Sequence, residues 1–198
     1  MPCILSINVG LVKPLMVGPR ERSQSVMSAI DKAPLSGTVA VNRLGIRGDE
    51  RADMSVHGGL DKAVYLYPHE HYAFCVAARE RVLHQQESLP FGFMGENLTT
   101  EGLLETELWI GDKLEIGELL LEVTEPRAPC FKFAARMGYA QAIKHMLQSG
   151  FTGVYLKVIT PADLVAGQTI CIKPGLREVS IADINRQRLK GRQRDLFP

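Results

Sequence analysis

The stretch LWIGDKLEIGELLLEVT, residues 108–124, decides the fold class of this chain. Apolar and charged residues alternate over 113–116, apolar residues run together over 119–121, and glycines interrupt the stretch at two points. A period of two with glycine punctuation is typical of β-strands joined by tight turns. We therefore predict a hairpin that turns at Gly111-Asp112, followed by a further strand reached through Gly117.

Similar short apolar runs bounded by Gly, Pro or Asn recur along the chain. They predict strands over 3–9, 37–43, 62–67, 154–159 and 169–173. Helical spacing of apolar residues is less frequent and predicts helices over 69–86, over 139–148 and from Ser180 onward. The fold class is therefore mainly β (α+β), with a few helices.

The chain shows no internal repeat and no low-complexity linker, so one domain over 1–175 is the economical interpretation. Residues 176–198 carry more Lys and Arg than Asp and Glu and are predicted to form a short, basic C-terminal helical tail. Its start, Ser180-Ile181-Ala182-Asp183, resembles a capping box with Asp in place of Glu. Docking on the domain and exposure to solvent both remain open for this tail.

Composition excludes few functions but limits how an anion could be bound. The 198 residues are 45% hydrophobic and 23% charged, with a net charge of +1. This balance gives no global argument for a nucleic acid polymer or a membrane as partner, so any anion must be held by a local cluster. The N-terminus lacks a signal-peptide pattern, and no apolar run approaches the ~18 residues of a spanning helix. We expect a cytoplasmic protein.

The four cysteines are Cys3, Cys75, Cys130 and Cys171, and no CxxC pair occurs among them. A zinc ribbon or a thioredoxin-type pair is therefore not indicated. In a reducing compartment each cysteine is by default a buried thiol. Three of them, Cys3, Cys75 and Cys171, lie within apolar patterns, and we expect them in the core.

Cys130 has a different setting, because it follows a hydrophobic strand and the segment Pro126-Arg127-Ala128-Pro129. Pro129 fixes its own φ immediately before the thiol. Arg127, and a helical turn over 131–137 if one forms, would both favour the thiolate. A reactive or metal-binding cysteine is one interpretation, and a core thiol is the other.

A second stretch rich in chemistry is LGIRGDERADMSVHGGLDKAVYLYP, residues 44–68. Paired glycines let the backbone approach a ligand closely and expose N–H donors to an anion. His57 and Lys62 could add side-chain donors, although a solvated glycine-rich surface loop would have the same composition. His69 and His71 are two residues apart on a predicted helix, which places them on different sides and argues against a shared metal.

Seven motifs stand in order between residues ~4 and ~173: SAIDK (28–32), GIRGD (45–49), HGGLDKAV (57–64), GENL (95–98), GD (111–112), PRAPC (126–130) and GVY (153–155). Together they resemble the MOSC domain, the molybdenum cofactor sulfurase C-terminal family, and in particular its YiiM-type bacterial members. The combination of HGGxDKAV with a downstream PRxPC is specific, whereas either half alone is not. Phe151 departs from the family pattern, which often has a basic residue there.

The resemblance implies a β-barrel around a cofactor cleft, with Cys130 as the protein ligand to molybdenum or as a sulfur-carrying thiol. Soft thiolate suits a thiophilic metal, and the phosphate of molybdopterin requires N–H groups and basic side chains. The candidates for the cofactor-binding shell are Ser28, Lys32, Arg47, His57, Gly58, Gly59, Lys62 and Arg127.

The leading hypothesis is an oxidoreductase that uses the molybdenum cofactor to reduce N-hydroxylated bases or hydroxylamines as small-molecule substrates. Its electrons would come from a separate reductase, since the sequence carries no flavin or nicotinamide motif. The alternative is a non-enzymatic carrier of the cofactor or of sulfur, with Cys130 as a persulfide site. Pyridoxal phosphate binding would require a lysine imine at Lys32 or Lys62, and a homodimer is left open.

Overall fold

The computed structural model of the chain describes residues 1–52, 58–85 and 87–196. Its largest element is an eight-stranded sheet in the order β13-β9-β10-β11-β7-β8-β1-β4, curled into a half barrel. Neighbouring strands are antiparallel except for the parallel pair β7 and β8. The strands of this sheet are β1 (Cys3–Val9), β4 (Ala33–Leu35), β7 (Val64–Pro68), β8 (Leu98–Glu101), β9 (Lys113–Ile116), β10 (Leu119–Pro126), β11 (Val154–Thr160) and β13 (Cys171–Lys173).

Two smaller sheets flank the half barrel. β5 (Val39–Asn42), β6 (Gly45–Ile46) and β12 (Ala162–Leu164) form one, and β2 (Lys13–Val17) with β3 (Gln24–Ser28) forms a hairpin. Together with the peripheral helices, this architecture confirms the prediction of a mainly β (α+β) fold of the barrel type.

The described residues form four α-helices: α1 (Tyr72–Leu83), α2 (Phe131–Met137), α3 (Ala142–Ser149) and α4 (Ile181–Leu196). The predicted cap of the last helix is present, because Ser180 Oγ accepts the Asp183 N–H at 3.0 Å and donates to Asp183 Oδ2 at 2.6 Å. α4 packs against β10 and α3. Its first part is therefore docked, while the division into a 1–175 domain and a 176–198 tail stays a prediction.

The hairpin predicted at Gly111-Asp112 is wrong. β9 instead pairs with β10 across Gly117 and Glu118, and β13 lies on the other side of β9. The buried Asp112 carboxylate accepts the N–H groups of Trp109, at 3.2 Å, and Gly175, at 2.8 Å. Asp112 thus closes a tight turn with Trp109 and holds Gly175 of the C-terminal segment. The contact with Gly175 is long-range, so the local alternation of residues does not predict it.

Across residues 1–52, 58–85 and 87–196, no helix is both long enough and apolar enough to cross a membrane.

Candidate functional site

A cleft of about 620 Å³, including its open mouth, lies where β7, β11 and the segment after β10 meet the segments 28–32 and 49–52. Its lining includes four cofactor-shell candidates from different parts of the chain, together with Cys130. The residues that line it are Ser28, Ala29, Ile30, Lys32, Asp49, Glu50, Arg51, Ala52, Lys62, Tyr65, Gly95, Asn97, Arg127, Cys130, Lys132 and Tyr155.

The charge of this lining is unbalanced. Among the described residues, five basic side chains line the cleft (Lys32, Arg51, Lys62, Arg127 and Lys132), against two acidic ones, Asp49 and Glu50. Basic groups converging in a concave, partly desolvated site raise the local concentration of anions and bind phosphate-like groups. The cleft therefore has the electrostatics of an anion site, although the chain as a whole is nearly neutral.

Cys130 reaches the cleft because β10 ends at Pro126 and the chain then runs extended to the start of α2. Cys130 is the N-cap residue of α2, with φ −124° and ψ 178°, and its carbonyl accepts the N–H groups of Phe133 and Ala134. Its side chain is half-buried on the cleft wall. This is the wall position that the sequence predicts for a reactive or metal-binding thiol.

The other cysteines lie outside the cleft lining. Cys75 is buried, as expected, and Cys3 is half-buried. The expectation that Cys171 lies in the core is wrong, because Cys171 is exposed. It begins the edge strand β13, where Ile172 faces the core and its two neighbours face solvent.

Arg127 places a fixed positive charge behind Cys130. Its guanidinium, in a side chain only 4% exposed, donates to the Met94 carbonyl and to Tyr65 Oη at 3.3 Å, and lies 4.7 Å from the Tyr65 ring centroid. Burial alone would lower the pKa of Arg127, but Tyr65, Tyr155 and Cys130 raise it above the ordinary value. The guanidinium therefore stays charged and interacts electrostatically with the Cys130 side chain.

Lys32 and Asp49 form a buried ion pair in the cleft lining, with side chains 7% and 3% exposed. Asp49 has two further donors, since Oδ1 accepts the Gly10 N–H at 2.8 Å and Oδ2 accepts Asn97 Nδ2 at 2.9 Å. Burial is the main cause that lowers the pKa of Lys32, and the Asp49 charge opposes it. The pair is held in place by segments from four parts of the chain.

The sequence predicted that Lys62 begins a strand, but Lys62 instead ends the short 3-10 helix Leu60–Lys62 that precedes β7. Its Nζ lies 3.4 Å from Glu125 Oε1 and 5.7 Å from the centroid of the Tyr155 ring. Thr124 Oγ1 fixes this helix by donating to the Asp61 carbonyl at 2.6 Å. The ammonium group is thereby brought to the cleft from the loop that precedes β7.

Not every predicted site residue lies in the cleft. Ser28 lines it, but Arg47 is exposed and Gly58 and Gly59 are absent from the described lining. Arg47 follows the short strand β6, and its N–H donates to the Ala40 carbonyl. His57 lies outside the described residues.

Phe151 also lies away from the cleft, stacked on His71 with ring centroids 3.8 Å apart. A basic residue at this position, which is frequent in the family, would therefore not be part of the described cleft lining. The missing charge at Phe151 leaves the five basic groups of the cleft unchanged.

Sequence reasoning missed several lining residues, namely Arg51, Tyr65, Asn97, Lys132 and Tyr155. Two of them could have been found from alternation, because Tyr65 and Tyr155 stand between buried aliphatic residues on their strands. The two tyrosines are direct neighbours in the register of β7 and β11, with ring centroids 5.3 Å apart.

Glu96 lies behind the cleft, between the lining residues Gly95 and Asn97, and is fully buried. Its Oε1 accepts the Tyr72 hydroxyl, the Gly92 N–H at 2.8 Å and Thr99 Oγ1 at 2.8 Å. Its Oε2 has no hydrogen-bond partner within the part of the chain that the structure describes. Burial raises the pKa of Glu96, which favours the protonated acid.

Comparison with known proteins gives a family match. Residues 53–171 match the family model described as the MOSC domain. The chain is 33% identical over 184 residues to the uncharacterized protein YflK of Bacillus subtilis, covering 92% of this chain and 79% of that one. It is 35% identical over 156 residues to protein YiiM of Escherichia coli, covering 79% and 68%.

Two further similarities concern a longer protein and a solved structure. A protein named reductase from Gibberella moniliformis is 32% identical over 170 residues, which are 85% of this chain but 29% of that one. The crystal structure of YiiM from Geobacillus stearothermophilus superposes with a TM-score of 0.75 at 31% identity, covering 97% of this chain and 86% of that one.

Proposed function

The chain belongs to the MOSC domain family of molybdenum-cofactor-associated proteins, and on that premise we propose that it is an oxidoreductase that reduces N-hydroxylated bases or hydroxylamines. The observation that carries the proposal is the half-buried thiol of Cys130 on the wall of a cleft lined by five basic side chains. A soft metal ligand and an anion-binding surface thus share one cleft.

The side chains present fit the cofactor. Thiolate sulfur is a suitable ligand for molybdenum, and Cys130 would hold the metal. Arg51, Lys62 and Lys132, which line the same cleft, would hold the phosphate group of the pterin. When bound, the cofactor supplies two-electron redox chemistry, and the protein supplies binding, orientation and electrostatics.

Arg127 keeps Cys130 suited to metal binding. Its charge favours the thiolate, and its contacts with Tyr65 and the Met94 carbonyl prevent it from turning away. Tyr65 contacts the guanidinium, and the neighbouring Tyr155 ring lines the same cleft, so two aromatic rings surround this charge. These groups therefore orient the ligand and lower the local dielectric, which strengthens each charge interaction.

The oxidoreductase class receives support from the fungal relative named reductase, in which the matching segment is part of a longer chain. In our proposal a separate reductase delivers the electrons to this protein. The substrate is a small molecule that enters through the open mouth of the cleft.

A second candidate is a carrier of the cofactor or of sulfur. The accessible position of Cys130 beside a buried arginine favours it, because a thiolate that can be reached from solvent can accept and pass on a sulfur atom. A carrier would bind the cofactor but would not turn over an N–O substrate.

The test is to load wild type, Cys130→Ser and Cys171→Ser with cofactor, to supply an artificial electron donor and to follow loss of an N-hydroxylated purine. Cys171 is exposed on an edge strand and is the matched control. We expect wild type and Cys171→Ser to turn over and Cys130→Ser to be inactive. Cofactor binding without turnover in wild type would favour the carrier, and equal turnover in all three would exclude Cys130 as the ligand.

A further inference from the structure

Lys32 is the most buried of the three lysines among the described lining residues of the cleft. The whole residue is 9% exposed, it lines the cleft, and its Nζ is paired with Asp49. Most lysines that bind anions are solvated and keep their proton, whereas a buried lysine can lose it near neutral pH. Lys32 therefore combines access to a ligand with the environment that makes a lysine exchange its proton.

Asp49 is built to tolerate both protonation states of Lys32. Because its carboxylate also accepts the Gly10 N–H and Asn97 Nδ2, it stays hydrogen-bonded when Lys32 is neutral. Asn97 is itself fixed, since its Oδ1 accepts the Tyr65 N–H at 3.1 Å. Asp49 thus acts as a positioning residue that keeps Nζ at the cleft wall in either state.

We propose that Lys32 is the proton donor of this cleft, and that its Nζ gives the proton that converts the leaving hydroxyl of an N-hydroxylated substrate into water. The inference rests on the proposed function, which it deepens by naming a second reacting group. A lysine whose charged form is disfavoured by burial is suited to this role, because general acids work best with a pKa near the operating pH.

The reaction balances with one external reductant. Reduction of R–NH–OH to R–NH₂ and water takes up two electrons and two protons. The N–O bond breaks with its electron pair leaving on oxygen, which takes the proton of Lys32. The two electrons from the reduced donor remain on nitrogen, which takes the second proton from solvent. Lys32 then regains a proton from water at the open mouth of the cleft.

Burial sets the direction in which the pKa of Lys32 is shifted, and the neighbouring charged groups modify it. Burial lowers its pKa, Asp49 raises it, Arg51 lowers it and Glu96 raises it, with a net pKa below the ordinary value. Since a general acid must be protonated, activity should fall as pH rises through the pKa of Lys32. Asp49→Asn removes the largest opposing charge, so it should move this loss of activity to lower pH.

The first readout needs no activity. The lysines are isotope-labelled and their titration is followed by NMR. The Lys32 signal is identified by its loss in Lys32→Arg. Lys173→Arg identifies in the same way an exposed reference lysine in β13. We expect Lys32 to titrate below the other lysines, and lower still in Asp49→Asn. If Lys32 titrates together with Lys173, the inference is overturned.

The second readout is the pH dependence of turnover with reduced viologen as the electron donor. Lys32→Arg keeps the charge but does not release a proton, so kcat should fall by about 10²- to 10⁴-fold with KM and molybdenum content unchanged. Lys32→Gln should show the same loss, which guards against a variant whose bulk disturbs folding. Lys32→Arg with the wild-type kcat and pH profile would overturn the proton-donor role. A wild type inactive with every N–O substrate would instead refute the proposed function, and the role of Lys32 would fall with it.

Discussion

The two faces of β7 and β11 are built from different residues and serve different purposes. On one face Val64 and Leu66 of β7 and Val154 and Leu156 of β11 belong to a cluster of Ile, Val, Leu and Ala side chains. On the other face the alternate residues of the same two strands, Tyr65, Tyr67 and Tyr155, belong to an aromatic cluster that packs against α1, α2 and α3.

The difference lies in how each face is fixed. Aliphatic side chains pack without directional bonds and contribute stability in proportion to the area they bury. The tyrosines carry hydroxyl groups that need partners, and Tyr65 Oη donates to the Thr152 carbonyl at 2.7 Å and accepts from Arg127. The aromatic face therefore fixes the charge behind Cys130, whereas the aliphatic face holds the half barrel together.

The largest effect on stability should come from the aliphatic face. Leu66 is 1% exposed, so Leu66→Ala removes buried methyl groups and leaves a cavity, which costs about 2–5 kcal/mol. Chemical denaturation measures this loss, while the folded fraction should still bind molybdenum. Loss of metal binding in fully folded Leu66→Ala would mean that the two faces are not separable.

A smaller effect should follow on the aromatic face. Tyr65→Phe leaves the Thr152 carbonyl and one Arg127 N–H without this partner, which costs about 1–3 kcal/mol for buried polar groups. Tyr139→Phe is the matched control, because within the described part of the chain its hydroxyl has one hydrogen-bond partner, His145 Nδ1 at 3.2 Å. We expect Tyr65→Phe also to weaken metal binding, and equal behaviour of the two variants would contradict the role of Tyr65.

The pH dependence of stability should report on Glu96. Burial raises its pKa, so above the ordinary value of about 4.3 the folded state keeps a proton that the unfolded state has lost. Stability must then fall as pH rises from there toward the raised pKa, by at most about 1.4 kcal/mol per pH unit for one proton. Denaturation across this window should show the decline in wild type and lack it in Glu96→Gln. Identical pH curves would mean that Glu96 titrates normally.

Alternation and short apolar runs predicted strands such as β1, β10 and β11, because these patterns can be recognised without knowledge of the partner strand. β8 was missed since its Thr99 and Thr100 are polar yet fully buried. Thr99 Oγ1 accepts from Asn8, which lies far away in the sequence, and donates to the nearby Glu96.

The cleft residues also divide into those that local motifs predicted and those that depend on distant contacts. Motifs placed Ser28, Lys32, Lys62, Arg127 and Cys130 among the candidates, and the fold brings these five to one cleft. Arg51 was missed because its place depends on Gly45, whose φ of +121° and close approach to the Ala63 carbonyl let the loop fold back. Lys132 depends on a contact with the Met27 carbonyl of the unpredicted β2–β3 hairpin. Such contacts are set by tertiary packing rather than by local pattern.

The smallest expected change in stability accompanies the most direct test of the central claim. Cys130→Ser is nearly isosteric and should shift stability by less than about 1.5 kcal/mol. The measurement is molybdenum per chain in wild type, Cys130→Ser and Cys171→Ser, purified from a molybdenum-replete host. We predict that wild type and Cys171→Ser carry the metal and that Cys130→Ser, though folded, carries little or none. Equal molybdenum in Cys130→Ser and wild type would contradict the assignment of Cys130 as the ligand of the cleft.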